Sequence, residues 1–193
     1  DVLVLTDHNS LQAKTEGWEG WYDNLLFMVG EEVSSRRGHC LALGTNSEVN
    51  HYQSAGGIIR DIRVQNGLAF LAHPHGVYRP LLYIRDHSWK DWSIRLFTGI
   101  ELWSYMFDWV SELKYHRFLR HYRNPQARIK GPFPKTVHLW DSLCQKERIV
   151  AIGGVDAHAR KYPLLPFVVF PYEFLFKTLR THILTNTPLK VET

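Results

Sequence analysis

The sequence predicts an α/β fold with a mostly parallel sheet, and three observations lead to this prediction. Short apolar runs rich in β-branched residues recur along the chain, as they do in strands that are buried in a sheet. Segments with apolar residues at helical spacing lie between these runs. Most of the runs deliver His, Asp or Glu at their carboxyl ends, and functional groups gathered there are typical of a TIM-type barrel.

The predicted strands are recognised by the residues that follow their apolar part. The chain opens with DVLVLTDHNS, in which the apolar residues 2–5 precede a polar Thr-Asp-His-Asn cluster. Four later runs also end in a carboxylate or an imidazole: NLLFMVGEEVSS, GLAFLAHPH, TGIELWS and RIVAIGGVDAHA. GHCLALG is the exception, because its His39 precedes the apolar residues.

Three segments between these runs have the spacing of amphipathic helices. SEVNHYQSAGGIIRDIRVQNG places Ile58, Ile59 and Ile62 at helical spacing, with Ser47 as the predicted N-cap. YMFDWVSELKYHRFLRHYR has an apolar face and a basic carboxyl end, and FPKTVHLWDSLCQKE opens after prolines. The alternation of strands and helices predicts a single domain over residues 1–193.

Composition places the chain among ordinary globular proteins. Its 193 residues are 45% hydrophobic and 22% charged, and no stretch approaches the ~20 apolar residues of a membrane helix, so no membrane partner is expected. A net charge of +4 suits an acidic small-molecule substrate but is too diffuse to indicate nucleic acid other than as a substrate. Two cysteines make no disulfide framework, so a reducing, cytoplasmic location is expected.

The first residues of the chain lie inside a predicted strand. The sequence begins with Asp1 and lacks a Met or a polar lead-in. We therefore expect residues upstream of Asp1, and a signal peptide or other targeting signal would lie among them.

Six of the residues at the ends of the apolar runs have the chemistry of metal ligands. Imidazole nitrogens and carboxylate oxygens bind Zn, Mn or Fe. The six are His8, Glu32, His39, His73, Asp156 and His158. In VDAHA the Asp and the His can point to one side, because strand side chains alternate with period two. A shared carboxylate can bridge two ions that hold a hydroxide, which is a nucleophile at neutral pH.

The motifs TDHN, GEE, GHCLALG, AHPH and GGVDAHA, in this order, closely resemble those of the PHP (polymerase and histidinol phosphatase) domain family. The resemblance spans residues 1–158. The tail PLLPFVVFPYEFLFKTLRTHILTN is similar to the branch grouped with the carbaryl-hydrolase-type PHP metallohydrolases. The resemblance implies a distorted (β/α)7 TIM-like barrel with two to three divalent ions at the carboxyl ends of its strands. Members of the family mostly hydrolyse phosphoesters.

The resemblance also implies roles for the candidate ligands in the first half of the chain. Glu32 matches the carboxylate that bridges the first two ions. His39 and His73 match the remaining ligands of the second ion. On this alignment the second site is complete in the sequence as it stands.

The first and third metal sites are incomplete by the same comparison. Asp156 matches a ligand of the first ion, and His8 and His158 match ligands of the third. The family begins with a His-x-His motif on its first strand, followed by a further ligand, and the sequence contains neither. We therefore expect a barrel truncated at its first strand, with two ligands missing from the first site and one from the third.

Five further residues are candidates for supporting or substrate-binding roles. Asp7 either supports a metal ligand as a neighbouring carboxylate that does not itself touch the ion, or caps a turn. Glu101 is either such a supporting carboxylate or a simple strand end. Arg36 and Arg37 either bind a substrate phosphate or form a solvated pair, and His75 is a candidate contact to substrate. Together with the bridging carboxylate, Arg37 and His75 are the predicted catalytic residues.

The remaining polar residues receive structural interpretations. Glu31 is predicted to face solvent, and Cys40 to be a small buried residue. The other histidines are predicted to be surface or structural residues: His51, His87, His116, His121, His138 and His182.

Three functions are consistent with these motifs. The first is a metal-dependent phosphoesterase in which a metal-bridging hydroxide attacks phosphorus and Arg or His groups stabilise the charge. The second is a hydrolase with the same metals that cleaves a carboxylic or carbamate ester. The third is a non-catalytic metal-binding remnant, which the missing first motif suggests.

Overall fold

The protein has a mixed α/β fold. The computed structural model describes residues 1–75, 78, 79, 85–125, 129, 131–161 and 167–189. The chain divides into two compact units. The first comprises Asp1–Pro74, His87–Gly99 and His182–Thr193, and the second comprises His75–Asp86 and Ile100–Thr181. Within the described part of the chain, no helix has both the length and the apolar character needed to cross a membrane.

The first unit contains the strands that begin the chain. Its elements are β1 (Val2–His8), α1 (Gln12–Thr15), β2 (Gly20–Tyr22), β3 (Leu25–Ser35), β4 (Gly38–Leu43), α2 (Ala55–Val64) and β5 (Leu68–Leu71). Strand β1 pairs in parallel with β3, whereas β2 pairs with β3, β4 with β3, and β5 with β4 in antiparallel fashion.

The prediction of a mostly parallel sheet is wrong for the first unit. Only Arg36 and Arg37 separate β3 from β4. A connection this short can join only antiparallel neighbours, because a parallel return needs a crossover of a dozen residues or more. The reversal still leaves β1, β3 and β5 running in the same direction.

Helix α2 forms where the sequence predicts a helix, but it begins later. Its N-cap is Ser54, whose hydroxyl accepts a hydrogen bond from the Gly57 backbone N–H at 3.1 Å. The prediction of Ser47 as the cap is wrong, because the Ser47 hydroxyl instead donates to Gln65. The predicted apolar face is confirmed: Ile58, Ile59 and Ile62 are buried.

The second unit contains the remaining elements. They are β6 (Gly99–Ser104), α3 (Tyr105–Glu112), α4 (Phe118–Arg123), α5 (Pro134–Cys144), β7 (Val150–Gly154), β8 (Arg160–Lys161), β9 (Val168–Val169) and α6 (Tyr172–Leu175), with a 3₁₀ turn at Tyr115–Arg117. Strands β6 and β7 are hydrogen-bonded neighbours, and β8 pairs antiparallel with β9. The amphipathic segment predicted at residues 105–123 is divided by this turn into α3 and α4.

An aromatic core holds the second unit together. Tyr105 and Trp109 of α3 pack with Phe170 and Leu175 from the carboxyl-terminal part of the unit. The Trp109 ring meets Phe170 edge-on, with centroids 5.0 Å apart. Of the tail that resembles the carbaryl-hydrolase branch, residues 163–166 lie outside the described part of the chain. The closed (β/α)7 barrel and its truncated first strand stay predictions.

Candidate metal centre

Three imidazoles gather around the carboxylate of Glu32 in the first unit. His39 Nδ1 lies 2.6 Å from Glu32 Oε1, and His73 Nε2 lies 3.1 Å from the same oxygen. His8 Nδ1 lies 3.7 Å from the other oxygen, Oε2. Among the described residues, one donor atom each from His8, Glu32 and His39 lie within 4.8 Å of one another. This cluster could hold a metal ion.

The register of the strands brings these side chains to one face. His8 of β1 is paired with Glu32 of β3, so the two side chains project from the same face of the sheet. Ser34, two residues after Glu32, is paired with His39 of β4. Because β4 runs antiparallel to its neighbours, its first residues lie at the edge where β1 and β3 end. This reversal explains why His39 leads its apolar run.

His73 reaches the cluster through an unusual backbone conformation. Strand β5 ends at Leu71, and the Ala72 N–H still donates to the His39 carbonyl at 3.0 Å. If the chain stayed extended, period-two alternation would send the side chain of His73 to the face of the sheet opposite to that of His39. His73 has φ +28°, outside the extended region, and this change of direction accompanies its contact with Glu32. Strained backbone of this kind often occurs at functional sites.

The Glu32 carboxylate is buried but remains charged. Burial acts to raise the pKa of this carboxyl, but hydrogen bonds from His39 and His73 outweigh it, so the pKa lies well below its usual range. Burial also lowers the pKa of His39, and the opposing effect of Glu32 does not fully offset it. The lowered pKa favours the neutral form of His39, and a neutral imidazole can offer a lone pair to a cation.

His8 forms the exposed side of the cluster. Its side chain is 46% exposed, whereas Glu32, His39 and His73 are buried. His8 Nδ1 lies 2.7 Å from the Ser34 hydroxyl, which lies on the same face of β3 as Glu32. A contact of this type fixes the orientation of a ligand ring. Sequence reasoning missed Ser34, although its position two residues after Glu32 was a usable signal.

Glu31 is buried, so the prediction that it faces solvent is wrong. It lies on the opposite face of β3 from Glu32 and accepts a hydrogen bond from the Val49 N–H at 2.7 Å. Burial raises the pKa of its carboxyl. Neighbouring glutamates in the GEE motif therefore occupy opposite faces and different environments, and only Glu32 is part of the cluster.

The other predicted ligands lie in the second unit. Asp156 follows β7, has φ +50°, and its Oδ1 lies 3.0 Å from His158 Nδ1. Glu101 of β6 is buried, and a Cβ at Gly154 would lie 2.6 Å from its Oε1. Glycine therefore allows this carboxylate to lie against the backbone of β7. That Asp156 and His158 bind metal, and that Glu101 supports them, stay predictions.

The predicted substrate-binding residues and Asp7, the predicted supporting carboxylate or turn cap, lie in three places. Arg36 and Arg37 are exposed on the turn between β3 and β4, directly before the strand that carries His39. His75 Nδ1 lies 2.9 Å from the Thr136 hydroxyl within the second unit, and burial lowers the pKa of its ring. Asp7 is exposed and lies on the face of β1 opposite to His8. The roles assigned to these four residues stay predictions.

His87 is a neighbour of the cluster that sequence reasoning missed. Its ring lies against that of His39, with centroids 4.2 Å apart and planes inclined by 36°. Burial and the nearby His39 and His73 lower the pKa of His87 to about 4. His87 lies in an irregular part of the described residues 85–90, and this position leaves no sequence signal for the contact.

No family model matches the chain, and no curated protein matches it either. The resemblance to the PHP family therefore rests on the quoted motifs, and membership stays a prediction.

Proposed function

We propose that the protein is a divalent-metal-dependent hydrolase of the PHP type that acts on phosphoesters. The observation that carries the proposal is the convergence of His39, His73 and His8 on the buried Glu32 carboxylate. Four separate motifs of the sequence contribute these residues. Burial of a charged carboxylate has a large desolvation cost unless partners compensate for it, and His39 and His73 provide that compensation at a site that also offers imidazole nitrogens to a cation.

The donor set fits a divalent ion such as Zn, Mn or Fe. Glu32 provides an anionic oxygen, and His39 and His73 provide nitrogens within hydrogen-bond distance of that oxygen. Mixed imidazole and carboxylate ligation suits these metals. A bound ion would supply Lewis acidity and lower the pKa of a coordinated water. The resemblance to the family suggests two to three such ions.

The residues of the chain have distinct tasks in this proposal. Glu32 supplies the negative charge that offsets cations, and uncharged His39 supplies a neutral ligand. His8, at the exposed side of the cluster, is where a substrate in solvent would first meet the site. Arg36 and Arg37, on the turn that leads to His39, are suited to bind a phosphate because guanidinium groups match its oxygens.

The proposal is tested with metal-supplemented protein and a panel of aryl esters. The expected result is that Mn or Zn supports cleavage of an aryl phosphate or phosphodiester faster than an aryl acetate. Turnover of only the acetate or a carbamate would instead identify a carboxylic or carbamate ester hydrolase. Retention of metal without turnover of any ester would identify a non-catalytic metal-binding protein. Fewer than ~0.2 ions per chain after chelator-free purification would overturn metal dependence itself, because catalytic metals are normally retained.

A further inference from the structure

Residues 87–90 form an irregular segment, here named the bracing segment, that contacts the candidate metal centre through the rings of His87 and His39. The Trp89 N–H donates to the Pro74 carbonyl at 3.2 Å, directly after His73. The Lys90 N–H donates to the Arg37 carbonyl at 2.7 Å, two residues before His39. The segment therefore connects the backbone next to one predicted ligand with the backbone next to another.

A glycine and a buried tryptophan hold the bracing segment in place. Gly38 has φ +120°, and a Cβ at this position would lie 2.7 Å from the Trp89 Cα and 3.0 Å from the Ser88 carbonyl oxygen. Only glycine leaves room for so close an approach. The Trp89 side chain is 3% exposed, and its indole N–H donates to the Asp91 carbonyl at 2.8 Å.

This anchoring places the His87 ring against the His39 ring. The two centroids are 4.2 Å apart, and the ring planes are inclined by 36° in a close, tilted contact. The rings of His8 and His73 meet His39 edge-on instead, at 5.6 and 5.1 Å with inclinations of 70° and 65°. The contact made by His87 thus differs in kind from the contacts among the clustered side chains around Glu32.

We propose that His87 is a positioning residue that fixes the orientation of the His39 ring for metal binding. The inference rests on the proposed metal site. An imidazole free to rotate about its side-chain torsions would lose part of its ligand strength, because ligand orientation must be fixed before the ion arrives. Glu32 contacts His39 at one nitrogen, and the His87 ring packs against the same imidazole at a centroid distance of 4.2 Å.

The test compares Zn²⁺ and Mn²⁺ affinity among His87 variants by competition with a chromophoric chelator. His87→Ala removes the packed ring and should weaken affinity about tenfold or more, as losses of supporting contacts around metal ligands do. His87→Phe keeps a flat ring and should bind within about threefold of the wild type, because ring packing rather than a nitrogen donor is what the contact supplies. The matched control is His51→Ala, which removes a ring that packs on Tyr52 in a similar tilted contact, with centroids 4.0 Å apart and planes inclined by 41°.

The outcomes separate this inference from the proposed function. If the wild type binds neither ion, the proposed metal site fails and this inference fails with it. If the wild type binds ions and His87→Ala binds them equally well, only the positioning role is overturned. If His87→Phe binds the ions as weakly as His87→Ala, a nitrogen of His87 is required and the role of ring packing is wrong. Thermal unfolding of each variant without metal checks that the fold is retained.

Discussion

At the scale of single residues, the protein separates two adjacent glutamates into different functions. Glu32 joins three histidines, whereas Glu31 accepts a hydrogen bond from the Val49 backbone on the opposite face. Both are buried. Period-two alternation along β3 is the reason, since neighbours on a strand always point to opposite faces.

The two glutamates form a matched pair for mutagenesis. Glu32→Gln removes the negative charge from the candidate metal centre, so metal retention should be lost and metal-dependent turnover should fall at least ~10²-fold, as when a major electrostatic element of a site is removed. Glu31→Gln keeps a carbonyl oxygen for Val49 and should leave metal content unchanged.

Elemental analysis and initial rates measure both effects. Metal-independent folding is checked by circular dichroism, because Glu32→Gln also weakens two buried hydrogen bonds at a cost of ~1–3 kcal/mol. If the Glu32→Gln variant retained more than half of the wild-type activity, the proposed role of Glu32 in metal binding would be ruled out.

His87 predicts a pH dependence for the metal-free protein. Its pKa is lowered from 6.5 to about 4, so the unfolded chain takes up the proton first as pH falls. Stability should therefore decrease as the pH drops from 6.5 towards 4. His87→Phe removes this contribution and should flatten the decrease in unfolding free energy across that window. The lowered pKa of His39 acts in the same direction, so part of the pH dependence remains.

Urea titrations at several pH values measure how steeply the unfolding free energy falls with pH, with His51→Phe as the control. An unchanged dependence in His87→Phe would contradict the lowered pKa of His87.

At the scale of secondary-structure elements, the reversed strand β4 is decisive. It places its amino end beside the carboxyl ends of β1 and β3, where His8 and Glu32 lie. His39, at the start of β4, therefore lies beside His8 and Glu32, which are near the carboxyl ends of β1 and β3. A helical crossover in place of the turn at Arg36 and Arg37 would have placed His39 at the opposite edge of the sheet.

Helix α2 offers a test of its N-terminal boundary. Ser54→Ala removes the side-chain acceptor for the Gly57 N–H and should lower the free energy of unfolding by about 1 kcal/mol, the usual cost of losing an N-cap. Ser47→Ala removes an exposed hydroxyl that donates to Gln65 and should cost less. Urea unfolding of both variants makes the comparison. If Ser47→Ala lowered the free energy of unfolding as much as Ser54→Ala or more, Ser47 rather than Ser54 would be the functional cap.

At the scale of the whole molecule, metal binding and stability should be linked. A ligand that binds only the folded state stabilises it by about 2.7 kcal/mol at a concentration of 100 times its Kd. Zn or Mn should therefore raise the melting temperature of the wild type, and the rise should disappear in Glu32→Gln. His158→Ala should show a smaller loss that excess metal partly restores, because the family resemblance places it at a different ion. Scanning calorimetry with and without metal measures these shifts, and an equal rise in wild type and Glu32→Gln would locate the binding elsewhere.

Much of the candidate site was predictable because its chemistry is local. His8, Glu32, His39 and His73 follow or precede short apolar runs, and the sequence names all four. Glu31 and Ser47 were interpreted wrongly because each has a hydrogen-bond partner that lies far from it in the chain. The Val49 N–H that partners Glu31 and the Gln65 amide that engages Ser47 are such groups.

The sequence by itself determined which residues could bind metal and that the fold combines strands with helices, because residue chemistry and hydrophobic periodicity are properties of short segments. Only the tertiary structure decided that β4 runs antiparallel, that His73 adopts φ +28° and that His87 packs on His39. These outcomes depend on strand pairing and on close approach, such as that of Trp89 to Gly38. Contacts of this kind join residues far apart in the chain, and no local pattern encodes them.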